Sequence, residues 1–182
     1  IFLMLIHAGF YMLINAQVPK DISSGEKLQL LKKEVSGNLE NNILSYWRSN
    51  VVDDVNGGFY GRINLNNKVV PAAQKGGILN ARILWTWSAA YRVTGNGDYL
   101  KLASRAKDYI LKYFIDKQYG GAYFSLSAEG EPVDDRKHTY TQAFFIYSLA
   151  EFSRATGDKE SLEAAKKIFE IFETRILDKD AN

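Results

Sequence analysis

A glycine doublet followed by a pair of helical segments occurs twice in this chain, and that repetition limits the possible folds more than any other feature. Gly57-Gly58-Phe59-Tyr60 returns as Gly120-Gly121-Ala122-Tyr123. After each doublet come an apolar helical pattern, a Thr-Gly step and a second helical pattern closing on Asp-Lys. Thr94, Gly95, Leu100, Ala103, Asp116 and Lys117 match Thr156, Gly157, Leu162, Ala165, Asp178 and Lys179 at a constant offset of 62. A fixed period marks a repeat architecture, in which each unit buries its face against its neighbours.

The two helices of each unit differ in kind. The segment 77–94 carries Ile78, Leu79, Ile83, Leu84, Trp85, Trp87, Ala89, Ala90 and Tyr91, apolar on every side, as does 139–155 with Tyr140, Ala143, Phe144, Phe145, Ile146, Tyr147, Leu149, Ala150 and Phe152. Helices of that kind are enclosed by protein. The segments 98–115 and 159–177 are striped instead, with Lys101, Arg105, Lys107 and Lys112, or Glu163, Lys166, Lys167, Glu170 and Glu173, set against one apolar face. Enclosed and striped helices in alternation predict an all-α toroid of helical hairpins, an α/α barrel whose inner helices line an axis and whose outer helices wrap them. The Gly-Gly segments fall at one rim, and the alternation of Gly57 to Pro71 around Asn66-Asn67 predicts a β-hairpin there. Upstream, Leu39, Ile43, Leu44, Tyr46 and Trp47 form a helical stripe ending near Asn50. Repeat arrays end in a polar capping unit; none is visible, so the sequence reads as the first part of a longer ring.

Three segments are expected along the chain. Residues 1–16 resemble a signal-peptide core ending in a small residue, too short for a comfortable membrane span, with an ordinary buried helix as the alternative. Residues 17–38 are polar and read as a linker that can run into the first helix, and 39–182 hold the barrel portion. The leader predicts a secreted or periplasmic protein, with a cytoplasmic one as the alternative, because the absence of cysteine leaves export open on redox grounds. A net charge of +2 with both signs interspersed offers no stripe for nucleic acid. No membrane association is expected once the leader is removed, and nothing in the sequence encodes the oligomeric state.

Arg82 is the outstanding candidate for chemistry. Helical spacing puts it on a face with Ile78, Leu79, Trp85 and Ala89, and a buried guanidinium costs several kcal/mol unless paired. It serves either an ion pair with a neighbouring helix or a clamp for an anionic or polarised oxygen. Tyr140, in Lys137-His138-Thr139-Tyr140, shares a face with Phe144 and Tyr147, either as a core tyrosine or with its hydroxyl at the cavity end of the helix. His138 is the lone histidine after the leader and, like most lone histidines, has a structural and an acid/base reading. Trp85 and Trp87 suit the core or a sugar ring. Asp53-Asp54 and Asp134-Asp135 are paired carboxylates of the kind used in acid/base work, though solvated loop residues are the better default. There is no phosphate loop, nucleophile elbow or His/Cys metal spacing, and Gly95-Asn96-Gly97 is a turn between helices rather than a dinucleotide fingerprint. No cofactor or metal is expected.

With Asn56-Gly57-Gly58-Phe59-Tyr60-Gly61, Lys75-Gly76-Gly77-Ile78-Leu79-Asn80-Ala81-Arg82-Ile83-Leu84-Trp85, Tyr119-Gly120-Gly121 and Asp134-Asp135-Arg136-Lys137-His138-Thr139-Tyr140-Thr141-Gln142-Ala143-Phe144 assembled, the chain resembles the N-terminal part of the N-acylglucosamine 2-epimerase/cellobiose 2-epimerase family. The resemblance implies an (α/α)6 barrel and inversion at C2 of a reducing-end sugar through a cis-enediolate, with a small-molecule sugar as substrate and no cofactor. It implies that Arg82, on the family's motif arginine, stabilises the developing oxyanion, and that Tyr140, on an active-site tyrosine, binds substrate. Asn80 stands where some relatives have histidine, and with Trp85 and His138 completes the implied substrate-binding set. The family's two acid/base histidines fall beyond Asn182. A glycoside hydrolase or lyase on the same toroid, and a non-catalytic sugar-binding module, are the competing functions.

Overall fold

The computed structural model describes residues 23–176; residues 1–16, expected as a leader, and the Asp178-Lys179 pair lie outside them. The chain divides into two compact units, one ending at Tyr46 and the other beginning at Trp47. In the first, α1 (Ser24–Asn38) opens on a reciprocal cap: the Glu26 N–H donates to Ser23 Oγ and the Ser23 N–H to Glu26 Oε2. The polar segment expected as a linker is therefore helical from Ser24. A π-helical segment, Leu39–Leu44, leads into α2 (Ser45–Asn50), within which the unit boundary falls.

The second unit contains β1 (Lys75–Gly76), α3 (Gly77–Thr94), α4 (Gly97–Tyr109), β2 (Ser125–Leu126), β3 (Pro132–Asp134), α5 (Thr139–Thr156) and α6 (Lys159–Ile171). Helices α3 and α5 occupy the expected enclosed segments, and both end on a left-handed glycine, Gly95 or Gly157, whose N–H bonds back to Tyr91 or Ser153. α4 and α6 start on Asn96 and Asp158 caps and run into π-helical turns at Ile110–Phe114 and Phe172–Ile176. α3 packs on α4 and α5, and α5 packs on α6, so the two inner helices lie side by side, each backed by its own striped helix. Leu84, Trp87, Phe114, Phe145, Leu149 and Ile168 fill the space between them.

Full enclosure of α3 and α5 is not what the described residues show. α3 leaves Arg82, Thr86 and Val93 exposed, and α5 leaves Tyr140, Ala143, Tyr147 and Ala150 exposed. Each inner helix has one face that no described residue covers. On the rim, the Asn66-Asn67 turn forms as expected: Val70 N–H bonds to the Arg62 carbonyl, Ile63 bridges Val69, and Asn67 takes φ 56°. A second hairpin, β2–β3, adds to β1 in an antiparallel three-stranded sheet, with Lys75 opposite Leu126 and Ser125 opposite Asp134.

Candidate active site

Each Gly-Gly loop is wired to the inner helix that follows it. In the first copy, the Asp53 carboxylate accepts from the Val55 and Asn56 N–H groups and from Lys75 Nζ at 2.8 Å. Both side chains of that ion pair are fully buried, at 1% and 0% exposure. Lys75 Nζ also donates to the Gly57 carbonyl and sits 4.7 Å above the Tyr109 ring. Burial pushes the Asp53 carboxyl up, but the Asn56 N–H and the Lys75 ammonium outweigh that and hold it below the ordinary 3.8. Arg105, from α4, closes the loop from outside through the Gly58 and Asp53 carbonyls. Gly58 itself takes φ +63°, and a Cβ there would stand 2.7 Å from the Tyr109 ring, so only glycine fits.

The second copy repeats the wiring with related residues. Asp116 accepts from the Gln118 and Tyr119 N–H groups and from Lys137 Nζ at 2.9 Å, and Lys137 lies over the Tyr123 ring. Gln142 holds both the N–H and the carbonyl of Ala122 at 2.7 Å. Lys75 and Lys137 each stand two residues before the first residue of an inner helix, so the paired loops fix where α3 and α5 begin. Asp53, read from sequence as a solvated loop residue, is thus a buried structural anion. The signal that identifies it is that Asp53 and Lys75 recur around the second doublet as Asp116 and Lys137. Asp134 pairs with Arg136, which holds its carboxyl at about 2.

Among the expected site residues, Arg82 lies in the second turn of α3, exposed, with no hydrogen bond or ion pair to any described residue. The ion-pair reading finds no partner among the described residues, where its helix face is uncovered. Tyr140 is 65% exposed in the first turn of α5, its ring edge-on to Phe144 at 4.9 Å. His138 caps α5 through its backbone and rests its ring against Phe124, exposed to solvent. Asn80 does not offer its amide outward. It is 2% exposed and its Nδ2 donates to the Gly76 carbonyl at 2.9 Å, tying the first turn of α3 to its own start. Trp85 stacks on Tyr147 at 5.3 Å with 13° between the rings, and its indole N–H is buried without a described acceptor. Trp87 belongs to the core, at 2% exposure. Arg82, Trp85, Tyr140 and Tyr147 therefore stand on the uncovered faces of two adjacent inner helices. Sequence reasoning missed Tyr147 because every position of that helix looked buried.

The model of one family, N-acylglucosamine 2-epimerase, matches residues 58–182, a range that takes in both rim loops from Gly58 onward and both inner helices. The chain belongs to this family. It is 49% identical over 150 residues to the cellobiose 2-epimerase of Bacteroides fragilis, covering 82% of this chain and 38% of that one. It is 26% identical over 137 residues to human N-acylglucosamine 2-epimerase, covering 73% of this chain and 32% of that one. Among solved structures, the cellobiose 2-epimerase of Bacillus thermoamylovorans B4167 superposes with a TM-score of 0.81 at 39% identity, over 84% of this chain and 39% of that one. The chain thus spans less than two-fifths of its relatives, and its fold is the N-terminal part of the (α/α)6 barrel of those epimerases.

Proposed function

We propose that the protein, at the length of its relatives, is a sugar 2-epimerase that inverts C2 of the reducing-end glucose of a β-1,4-linked disaccharide such as cellobiose. The observation that carries this reading is the gap between 49% identity to a cellobiose 2-epimerase and 26% to an N-acylglucosamine 2-epimerase, over a span that holds Arg82, Trp85, Tyr140 and Tyr147. The sugar opens to its aldehyde, and a base takes the proton from C2. The C–H electron pair forms the C1–C2 double bond, and the carbonyl pair moves onto O1, giving a cis-enediolate. Reprotonation on the opposite face inverts the centre.

A carbon acid beside an aldehyde loses its proton near neutral pH only if the growing charge on oxygen is met by fixed donors, and such donors supply the largest share of the stabilisation. Arg82 suits that role. Its guanidinium is always charged and presents a planar fork to two neighbouring oxygens, and no described residue engages it. Tyr140 and His138, exposed at the rim end of α5, bind the sugar's hydroxyls, while Asn80 holds the start of α3 rather than the substrate. The proton-transferring groups belong to the part of the barrel beyond this chain.

Incubating the protein with cellobiose and separating the products tests the proposal. Epimerisation yields a disaccharide with mannose at the reducing end, whereas free glucose would show hydrolysis instead. The apolar residues 1–15 support export of the protein, which a mature N-terminus near Ala16, read by mass spectrometry, would bear out and an uncleaved leader would contradict.

A further inference from the structure

We infer that Tyr147 is a stacking platform for a pyranose ring of the substrate, with Trp85 as the prop that holds it flat; this rests on the sugar-binding reading above. Tyr147 is 50% exposed, yet it is not a loose surface ring. One of its faces lies parallel to Trp85 at 5.3 Å, an offset arrangement of the kind aromatic pairs prefer. The stack joins α5 to α3 across the inner side of the two-helix pair. Trp85 is itself only partly accessible, and its N–H points into the protein. The indole therefore has its face committed to Tyr147 and its polar edge withdrawn. What the pair presents outward is the free part of the tyrosine ring.

The surroundings match a sugar. Arg82 stands one helical turn before Trp85, and residues three apart on a helix have Cβ atoms about 5–6 Å from each other. Tyr140 stands two turns before Tyr147, about 10 Å along the helix at 1.5 Å per residue. Between those tyrosines Phe144 packs against the Tyr140 ring, so an aromatic strip runs down α5 beside the Arg82 guanidinium, which no described residue pairs. Pyranose rings present a flat C–H face and an edge of hydroxyls. The non-reducing ring of the disaccharide laid on Tyr147 leaves the linked reducing-end sugar, the one that opens, to meet the Arg82 guanidinium. Sites of this kind are apolar surfaces with a few fixed polar groups.

The test uses the family-length protein and two measurements in parallel: steady-state epimerisation of cellobiose, and equilibrium binding of cellobiitol followed by tryptophan fluorescence. Cellobiitol, the alditol of cellobiose, lacks the aldehyde and cannot react, and it keeps the non-reducing pyranose that the Tyr147 platform would hold. Tyr147→Leu and Tyr147→Met, which keep apolar bulk but no ring face, should raise the cellobiitol Kd and the cellobiose KM about 3- to 10-fold, the size of one aromatic contact. Turnover at saturation should stay within about twofold, because the loss falls on binding. Tyr147→Phe should bind like the parent. A merely structural ring would lower the melting temperature in the Leu and Met variants and leave Kd unchanged, and that result overturns the inference, as does a Phe variant as weak as Leu. If the parent binds cellobiitol with this dependence on Tyr147 but does not epimerise cellobiose, the platform stands and the epimerase reading falls. Epimerisation with an unaltered Kd in the variants removes the platform alone, and a parent that neither binds nor reacts removes both.

Discussion

Replacing Lys75 with methionine should be among the most damaging single changes in the protein. The side chain is fully buried and serves three partners: the Asp53 carboxylate at 2.8 Å, the Gly57 carbonyl at 2.6 Å and the Tyr109 ring at 4.7 Å. Methionine fills the volume but strands a carboxylate with no access to water. The Val55 and Asn56 N–H groups remain, yet they do not neutralise the charge, and breaking one side of a buried pair typically costs about 3–5 kcal/mol. Against a total stability of about 5–15 kcal/mol, that is a large share. The same change at Lys137 should cost about 1–2 kcal/mol, because Lys137 keeps 23% of its surface in water and solvent can take over part of its role. The double variant Asp53→Asn/Lys75→Met removes the stranded charge while the carbonyl oxygen of the new side-chain amide still accepts from the loop, so most of the loss should return. Urea unfolding of parent, both Lys→Met single variants and the double reads all four values. A Lys75→Met cost below about 1 kcal/mol, or a double variant no more stable than the single, would refute the reasoning that charge burial governs this loop.

Gly58→Ala should cost about 2–5 kcal/mol, because it adds left-handed strain to a Cβ placed 2.7 Å from the Tyr109 ring. Gly95→Ala, with φ +70° but no atom within 4 Å, should cost only about 1–2 kcal/mol; calorimetry of the two separates strain from overlap. Asp53 and Asp116 both have carboxyls lowered from 3.8 in the folded protein, so the stability they add is complete above that value and drains away as pH falls below it. A urea midpoint that stays level between pH 7 and 5 and then drops below about pH 4, with a smaller drop in Asp116→Asn, is the expected outcome. Arg82→Ala should leave the unfolding free energy within about 0.5 kcal/mol of the parent, since no described residue pairs with it; a larger loss would return Arg82 to a structural role.

The period of the sequence made the fold legible, because helix starts and stops are written in local chemistry. Thr94-Gly95 and Thr156-Gly157 end α3 and α5 where expected, since a left-handed residue is needed there and glycine adopts it freely. The rim was harder to read. Strands of two or three residues, such as Lys75–Gly76 and Ser125–Leu126, are too short to show alternation, and the Asp53–Lys75 pair spans a loop whose path no local pattern dictates. Nor did sequence reveal the π-helical turns at Leu39–Leu44, Ile110–Phe114 and Phe172–Ile176. The candidate site was legible by residue and misread by environment. Arg82 looked buried because its helix is apolar on every side, whereas its face is uncovered in the described residues. Asn80 looked available, whereas the Gly76 carbonyl holds its amide.

Proton exchange at C2, with Arg82 bracing the enediolate, is the step on which the proposed reaction stands, and deuterium incorporation reads that step itself. The family-length protein and its Arg82→Lys variant are incubated with cellobiose in heavy water, and C2 of the reducing-end sugar is followed by NMR. The expected result is deuterium at C2 with the mannose epimer accumulating in the parent. The lysine variant should lose about 100- to 1,000-fold in rate, the usual effect of removing one oxyanion donor, with the urea midpoint unchanged. Cleavage to glucose, epimer without deuterium, or a lysine variant as fast as the parent would contradict the proposed chemistry.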